Sequence, residues 1–230
     1  MVEGALLAGA AAAGLAAYAV RGKSSSILAP SVWHGNRTRP AVALTFDDGP
    51  SPSTPALLEL LAAYNAKATF FMCGQNVRRL REIAAAVAAA GHEIGNHTDS
   101  HPPLYFKSPQ FIDRELAAAQ ESIHTVTSAT PKLFRAPYGV RWPGLRRAQE
   151  RLQLTGVMWT AIGNDWKWPA SRISQLLLQK AENGAIFCLH DGRELRPAPD
   201  IRATLEAVKL VLPILKERGF SLETVTEIRR

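Results

Sequence analysis

Short apolar runs alternate along the chain with segments in which apolar residues recur at helical spacing. Ala41 to Phe46 is one such run, closed by Asp47 and Asp48, and Ala68 to Cys73 is the next. Between them Thr54-Pro55 supplies an N-cap and a proline at the first helical position for a helix carrying Leu57, Leu58, Leu60 and Leu61. Val77 to Ala90 reads as a helix that stops at Gly91 and leads into a short strand from Glu93 to Asn96. Ser108-Pro109 opens the clearest helix, whose stripe of Phe111, Ile112, Leu116 and Ile123 runs to about Thr127. Leu133 to Arg135, Leu154 to Thr160, Ala185 to Leu189 and Phe220 to Val225 are expected strands. Helices over Pro143 to Leu152, Ser171 to Lys180 and Ile201 to Arg218 separate them. About seven βα units with strands apolar on both faces require a parallel sheet covered by helices. The expected fold is α/β, a closed or nearly closed βα barrel. An open doubly wound sheet is the alternative, but no Gly-rich phosphate loop follows the first strand.

At 230 residues, 47% hydrophobic and 20% charged, the chain can bury a full core, and one domain is expected. The net charge of +7 comes largely from arginines scattered along the sequence. It suggests an anionic neighbourhood, such as a membrane surface or an envelope polymer, and no nucleic-acid motif accompanies it. Cys73 and Cys188 each sit in an apolar run and are expected as buried free thiols. Gly4 to Val20 is uncharged and Ala-rich, and Arg21, Lys23 and a Ser triplet follow it. Residues 1–23 are therefore expected to be an N-terminal hydrophobic anchor or signal-like segment, with 24–40 a linker and 41–230 the folded domain. Ala17-Tyr18-Ala19 offers a cleavage site, yet no basic region precedes the apolar run, so the side of the membrane stays open.

A parallel barrel gathers its chemistry at the carboxyl ends of its strands. Asp47 and Asp48 close the first strand, His97 and His101 follow the third, and Arg135 ends the fourth. Asp165-Trp166 and His190-Asp191 come after the next two. Alone, an Asp-Asp-Gly is an ordinary solvated turn. Beside two histidines four residues apart, one carboxylate from Asp48 completes a two-His, one-Asp set open to water or substrate, for which zinc is the default ion.

Taken together, Thr45-Phe46-Asp47-Asp48-Gly49-Pro50, His97-Thr98-Asp99-Ser100-His101, Arg135-Ala136-Pro137-Tyr138-Gly139, Asp165-Trp166 and Cys188-Leu189-His190 resemble, in order, the five motifs of the polysaccharide deacetylases. That family is also called carbohydrate esterase family 4, or the NodB-homology domain. The resemblance covers roughly Ala41 to the C-terminus. It implies a distorted (β/α)7 TIM-like barrel and a metal-dependent hydrolase that removes N-acetyl groups from N-acetylglucosamine units of a glycan such as peptidoglycan or a chitin-like oligosaccharide. Carried over by position, it implies Asp48, His97 and His101 as ligands of a divalent metal, zinc or alternatively cobalt or nickel. Asp47 is then the general base for the attacking water, Arg135 holds that base, and His190 is the general acid for the departing amine. Asp165 orients His190 or braces Arg135. The backbone N–H of Tyr138 stabilises the oxyanion, and Trp166 and Tyr138 offer an aromatic wall to a sugar. The implied partners are the N-acetylated glycan and, through the N-terminal segment, a membrane surface of a bacterial-type envelope.

Two positions depart from the family pattern. Ile162 stands where the fourth motif has its first aspartate, and Cys188 stands where leucine commonly lines the pocket for the acetyl methyl. A deacylase of a lipid-linked sugar or a non-carbohydrate amide is the alternative on the same fold. A catalytically dead glycan-binding module would tolerate loss of Asp47 or His190, and both are present.

Overall fold

The computed structural model describes residues 2–230. Among these residues nine strands form one sheet: β1 (Ser31–Val32), β2 (Ala41–Gly49), β3 (Ala68–Met72), β4 (Glu93–Asn96), β5 (Leu133–Phe134), β6 (Thr155–Val157), β7 (Ala161–Ile162), β8 (Ala185–His190) and β9 (Ser221–Leu222). They pair in the order β1-β6-β5-β4-β3-β2-β8-β7, every ladder parallel, with β9 beside the start of β2. No strand pairing among the described residues joins β1 to β7, so the distorted barrel is a curled parallel sheet with an open side.

The helices are α1 (Val2–Arg21), α2 (Thr54–Ala63), α3 (Gly74–Arg79), α4 (Arg81–Ala89), α5 (Pro109–Thr127), α6 (Leu145–Leu152), α7 (Ala170–Gln179), α8 (Arg202–Glu217) and α9 (Val225–Ile228). Every residue of β2 is buried, and its two faces pack differently. Val42, Leu44 and Phe46 meet Leu57, Leu61, Val208 and Leu212 of the helical layer. Ala41 and Ala43 point into the barrel, where Phe71, Ile186, Val225 and Ile228 fill the floor. Burying each large side chain of this kind stabilises the fold by about 1.5–3 kcal/mol. The inward face continues through Thr45 to Asp47, so the first carboxylate reaches the barrel mouth by strand alternation alone.

Several expected elements are divided. The helix expected over Val77 to Ala90 breaks at Leu80, whose backbone (φ −124°, ψ 54°) leaves the helical region. The strand expected over Leu154 to Thr160 keeps only β6 (Thr155–Val157), and β7 begins just beyond it at Ala161, at the other end of the sheet order, where it pairs with β8. The strand expected over Phe220 to Val225 keeps only Ser221–Leu222, because Thr224 and Glu227 form a capping box that starts α9.

The amino-terminal segment is bound to the domain. No helix among the described residues is long and apolar enough to cross a membrane. The stretch expected as a linker, 24–40, contributes β1 to the sheet and buries Ala29 among Leu104, Ile112 and Phe134. Arg141, itself buried, holds the residues before it: its backbone N–H donates to the Val20 carbonyl at 3.0 Å, and its guanidinium donates to the carbonyls of Ser25 (2.7 Å) and Gly22. Arg146 donates to the Ser26 carbonyl at 2.6 Å.

Candidate active site

Strict alternation would send Asp48 to the helical side, opposite Asp47. A bulge prevents it. The β2–β3 register passes from Asp47 opposite Phe71 to Gly49 opposite Met72, leaving Asp48 unpaired with φ 69°. Aspartate tolerates this left-handed conformation better than most residues, and the extra residue swings its carboxylate into the mouth. Asn76 Nδ2 donates to the Asp48 carbonyl at 2.7 Å, and the Glu194 N–H donates to Asp48 Oδ2 at 2.8 Å. A Cβ on Gly192 would stand 2.2 Å from the Asp48 carbonyl oxygen, so only glycine admits this approach.

His97 and His101 leave β4 on a loop stitched to itself. Asn96 Oδ1 accepts from the Thr98 N–H, Thr98 Oγ1 accepts from the His101 N–H, and Glu115 accepts from the N–H groups of Asp99 and Ser100. His97 Nδ1 lies 2.7 Å from the Arg135 carbonyl oxygen, which can only accept, so Nδ1 carries the hydrogen and Nε2 is left with a bare lone pair. That Nε2 approaches Asp48 Oδ1 at 3.3 Å, and His101 Nε2 approaches the same oxygen at 3.0 Å. Oδ1 is buried and accepts no hydrogen bond. The bare His97 nitrogen and the carboxylate oxygen, meeting in a buried spot, repel one another unless a proton or cation sits between them. Two imidazole nitrogens and one carboxylate oxygen, all within 4.8 Å, suit a divalent ion with open positions. Burial opposes ionisation of Asp48, yet hydrogen bonds from the two imidazoles, where they carry the proton that a cation would replace, hold its carboxyl well below the usual carboxylate range.

Asp47, Cys188 and His190 form a second cluster of donors within the same distance. They are poorer ligands because each is already engaged. Arg135 Nη1 donates to Asp47 Oδ1 at 2.7 Å. Burial, reinforced by the Asp47 charge, pushes the Cys188 thiol well above its ordinary value, so it keeps its proton and donates to Asp47 Oδ2 at 3.4 Å. His190 Nδ1 lies 2.7 Å from Asp165 Oδ1. Of the two clusters, the one at Asp48 is free to hold a metal.

Arg135 lies beneath the mouth with no exposure. Besides Asp47 it binds Thr45 Oγ1 (2.6 Å) and the carbonyls of Val157 and Met158, and its guanidinium stacks 4.2 Å above the Phe71 ring. Across the mouth, Asp165 accepts from the His190 N–H at 2.8 Å and from Thr204 Oγ1 at 2.6 Å. Burial alone would raise Asp165, but the His190 charge and these hydrogen bonds hold it below its ordinary value. Burial pulls His190 down, and the Asp165 charge outweighs it, pushing the imidazole up to about 9. Asp165 thus orients His190 and does not touch Arg135 through any hydrogen bond or ion pair among the described residues.

A cavity of about 950 Å³ opens over these groups. Asp47, Asp48, His97, His101, Tyr138, Asp165, Trp166 and His190 all line it, whereas Arg135 supports it from below. Tyr138 and Trp166 are half exposed, their rings packed edge-on against His101 (4.9 Å) and His190 (5.2 Å) respectively. Ile162, at the position of the absent aspartate, forms part of the apolar wall. Sequence reasoning missed Thr204, the Glu194 N–H and Arg21. A backbone N–H carries no signal in residue type, and Arg21 belongs to a segment assigned to anchoring.

A family model described as polysaccharide deacetylase matches residues 34–157. A chitooligosaccharide deacetylase from Azorhizobium caulinodans is 36% identical over 80% of this chain and 91% of its own length. A peptidoglycan-N-acetylglucosamine deacetylase from Bacillus cereus is 33% identical over 86% and 92%. Among solved structures, a CE4 family pseudoenzyme from Bacillus anthracis superposes with a TM-score of 0.80 at 26% identity, covering 89% of this chain and 70% of that one.

Proposed function

Because the chain belongs to the polysaccharide deacetylase family, we propose that it is a metal-dependent N-deacetylase of N-acetylglucosamine units in a glycan, with its paired aspartates divided between two tasks. One observation carries the division: Asp48 Oδ1 meets two imidazole nitrogens, while Asp47, one residue away, is held by Arg135. Asp48, His97 and His101 hold the metal, and two nitrogens with one oxygen favour zinc. When bound, a divalent cation lowers the pKa of water and polarises the amide carbonyl.

The remaining steps belong to the chain's own side chains. Asp47 takes the proton of the attacking water, its carboxylate fixed by Arg135 from the side away from the mouth. The backbone N–H of Tyr138 stabilises the oxyanion that forms as the amide carbonyl is attacked. An amine leaves poorly unless protonated as it departs. His190, its Nδ1 fixed by Asp165 and its pKa raised to about 9, is cationic at neutral pH and delivers that proton from Nε2. Trp166 and Tyr138 take the sugar faces.

An inactive, glycan-binding protein is the reading that the pseudoenzyme neighbour brings to mind, and the full set of donors, base and acid in this chain argues against it. The exposed residues of α1, with Leu15 and Tyr18 among them, are consistent with contact at a membrane surface. Purified protein assayed for metal and for acetate release from chito-oligomers and peptidoglycan fragments tests the reading. Metal-loaded protein that frees no acetate from any of them would sink it.

A further inference from the structure

Arg21 ends α1, a helix that lies outside the residues matched by the family model, yet it lines the catalytic cavity. Its Nη2 donates to the Tyr138 carbonyl at 3.1 Å, so it stands beside the residue assigned to the oxyanion. It is held there from the chain side as well: Arg141 ties down the carbonyls of Val20, Gly22 and Ser25 on either side of it. A tether of that kind is more than an untethered leader needs.

Three further cations line the same cavity: Lys167, next to Trp166, and Arg193 and Arg196 in the loop after β8. Among the described residues the Arg193 side chain donates only to the carbonyls of Gly192 and Asp165. None of these four side chains forms an ion pair with a carboxylate among the described residues, whereas most lining carboxylates are already engaged. Asp47 pairs with Arg135, Asp165 with His190, and Asp200 with Arg202, while Asp48 faces the two imidazoles. Glu194 accepts from the Tyr138 hydroxyl at 2.7 Å and is the one carboxylate left to oppose four cations at the rim. A low-dielectric cavity with such a rim concentrates anions.

We propose that the mouth is built for a glycan that carries an anionic group, a carboxylate or a phosphate, near the N-acetylated sugar, and that Arg21 of the amino-terminal helix, with Arg196 and Lys167, recognises that group. This rests on the deacetylase reading and narrows its substrate class. A neutral chitin-like oligomer is then turned over as a lesser substrate. Arginine suits the task because its planar fork binds carboxylate and phosphate in two-point fashion.

The test compares kcat/KM for acetate release from five substrates: chitotetraose, a muramic-acid-containing peptidoglycan tetrasaccharide, the same fragment with its carboxyls amidated, and N-acetylglucosamine 1-phosphate set against free N-acetylglucosamine. Acetate release from chitotetraose tests the deacetylase reading by itself. The ratio of anionic to neutral substrate tests this inference. A ratio of about tenfold or more, residing in KM and shrinking as salt rises from 0.05 to 0.5 M, is expected. Which anionic pair shows it identifies carboxylate or phosphate as the source. Arg21→Gln, which retains a donor for the Tyr138 carbonyl but not the charge, should reduce the ratio by about three- to tenfold, and Arg21→Lys should restore part of it. Arg196→Gln should act in the same direction. A wild-type ratio near one for both anionic pairs, or a ratio that neither substitution moves, would overturn the proposal even in an active enzyme.

Discussion

Asp165 grips His190 at two points, Oδ1 lying 2.7 Å from the ring Nδ1 and Oδ2 accepting the backbone N–H at 2.8 Å. The imidazole is thereby fixed in orientation and in charge. With His190 pushed up to about 9, the alkaline limb of kcat should fall near that pH. Asp165→Asn keeps the shape but removes the charge, and the limb should move toward or below the ordinary histidine value of about 6.5. At pH 8 the loss of protonated imidazole alone predicts a fall in kcat of roughly thirtyfold. A kcat profile from pH 5 to 10 for both proteins checks this; an unmoved alkaline limb would exclude His190 as the proton donor.

The same pair makes stability depend on pH at both ends. His190 is raised on folding, so its contribution is complete below about 6.5 and is lost as pH rises through about 9. Asp165 is lowered, so its contribution is present above its ordinary value near 4 and is lost as pH falls through the depressed one. Chemical denaturation of the wild type should therefore show a midpoint that declines on both sides of neutrality. Asp165→Asn should flatten both declines.

The division of the two aspartates is separable by metal analysis. Asp47→Asn should retain metal while kcat falls by about 10²- to 10⁴-fold, the usual worth of a general base. His97→Ala should purify with little metal and lose activity with it, as should wild type after chelation, with re-addition rescuing only the latter. An Asp47→Asn protein that loses its metal would show that the assignment of the two carboxylates is reversed.

Arg135 has no exposure, and its removal leaves Asp47 buried beside Cys188 without a cation. Arg135→Met should cost about 3–5 kcal/mol, read from denaturant midpoints. Combining it with Asp47→Asn should recover part of that loss, because no lone buried charge remains. Arg135→Lys should not substitute, since a single ammonium cannot reach Asp47, Thr45 and the Val157 and Met158 carbonyls together.

The Arg141 guanidinium binds the carbonyls of Gly22 and Ser25 and, at 3.5 Å, the Ser31 hydroxyl, and Arg141→Met should loosen residues 22–25 from the domain while the backbone bond to Val20 remains. Each hydrogen bond to a charged donor is worth about 1.5–3 kcal/mol, so the loss should be local and measurable. Faster tryptic cleavage after Arg21 and Lys23, with the remaining domain intact, is the expected result.

Much of this was legible in the residues. The order of strands and helices follows from short buried runs such as Ala41 to Phe46 and from caps such as Ser108-Pro109, whose Ser108 Oγ does accept from the Phe111 N–H. The clustering of Asp47, Asp48, His97, His101, Arg135, Asp165 and His190 followed from their places at strand ends. What stayed hidden was three-dimensional. The open side of the barrel lies between β1 and β7, and nothing in Leu154 to Ile162 marks where β6 ends and the chain crosses to pair with β8. The Glu227 partner of Thr224 was readable as a capping box, but a strand-like apolar run beside it masked it. Residues 24–40 looked like a linker because they are polar, and their attachment comes from Arg141 and Arg146, more than a hundred residues away along the chain.

Asp48 is the residue of β2 that the sheet does not count. Were it deleted, β2 could pair with β3 without interruption from Leu44 to Gly49, the inner and outer cores would keep their packing, and only two imidazoles would remain to face the vacated corner of the mouth. One lost codon thus separates a working hydrolase from an inert body of the same outline.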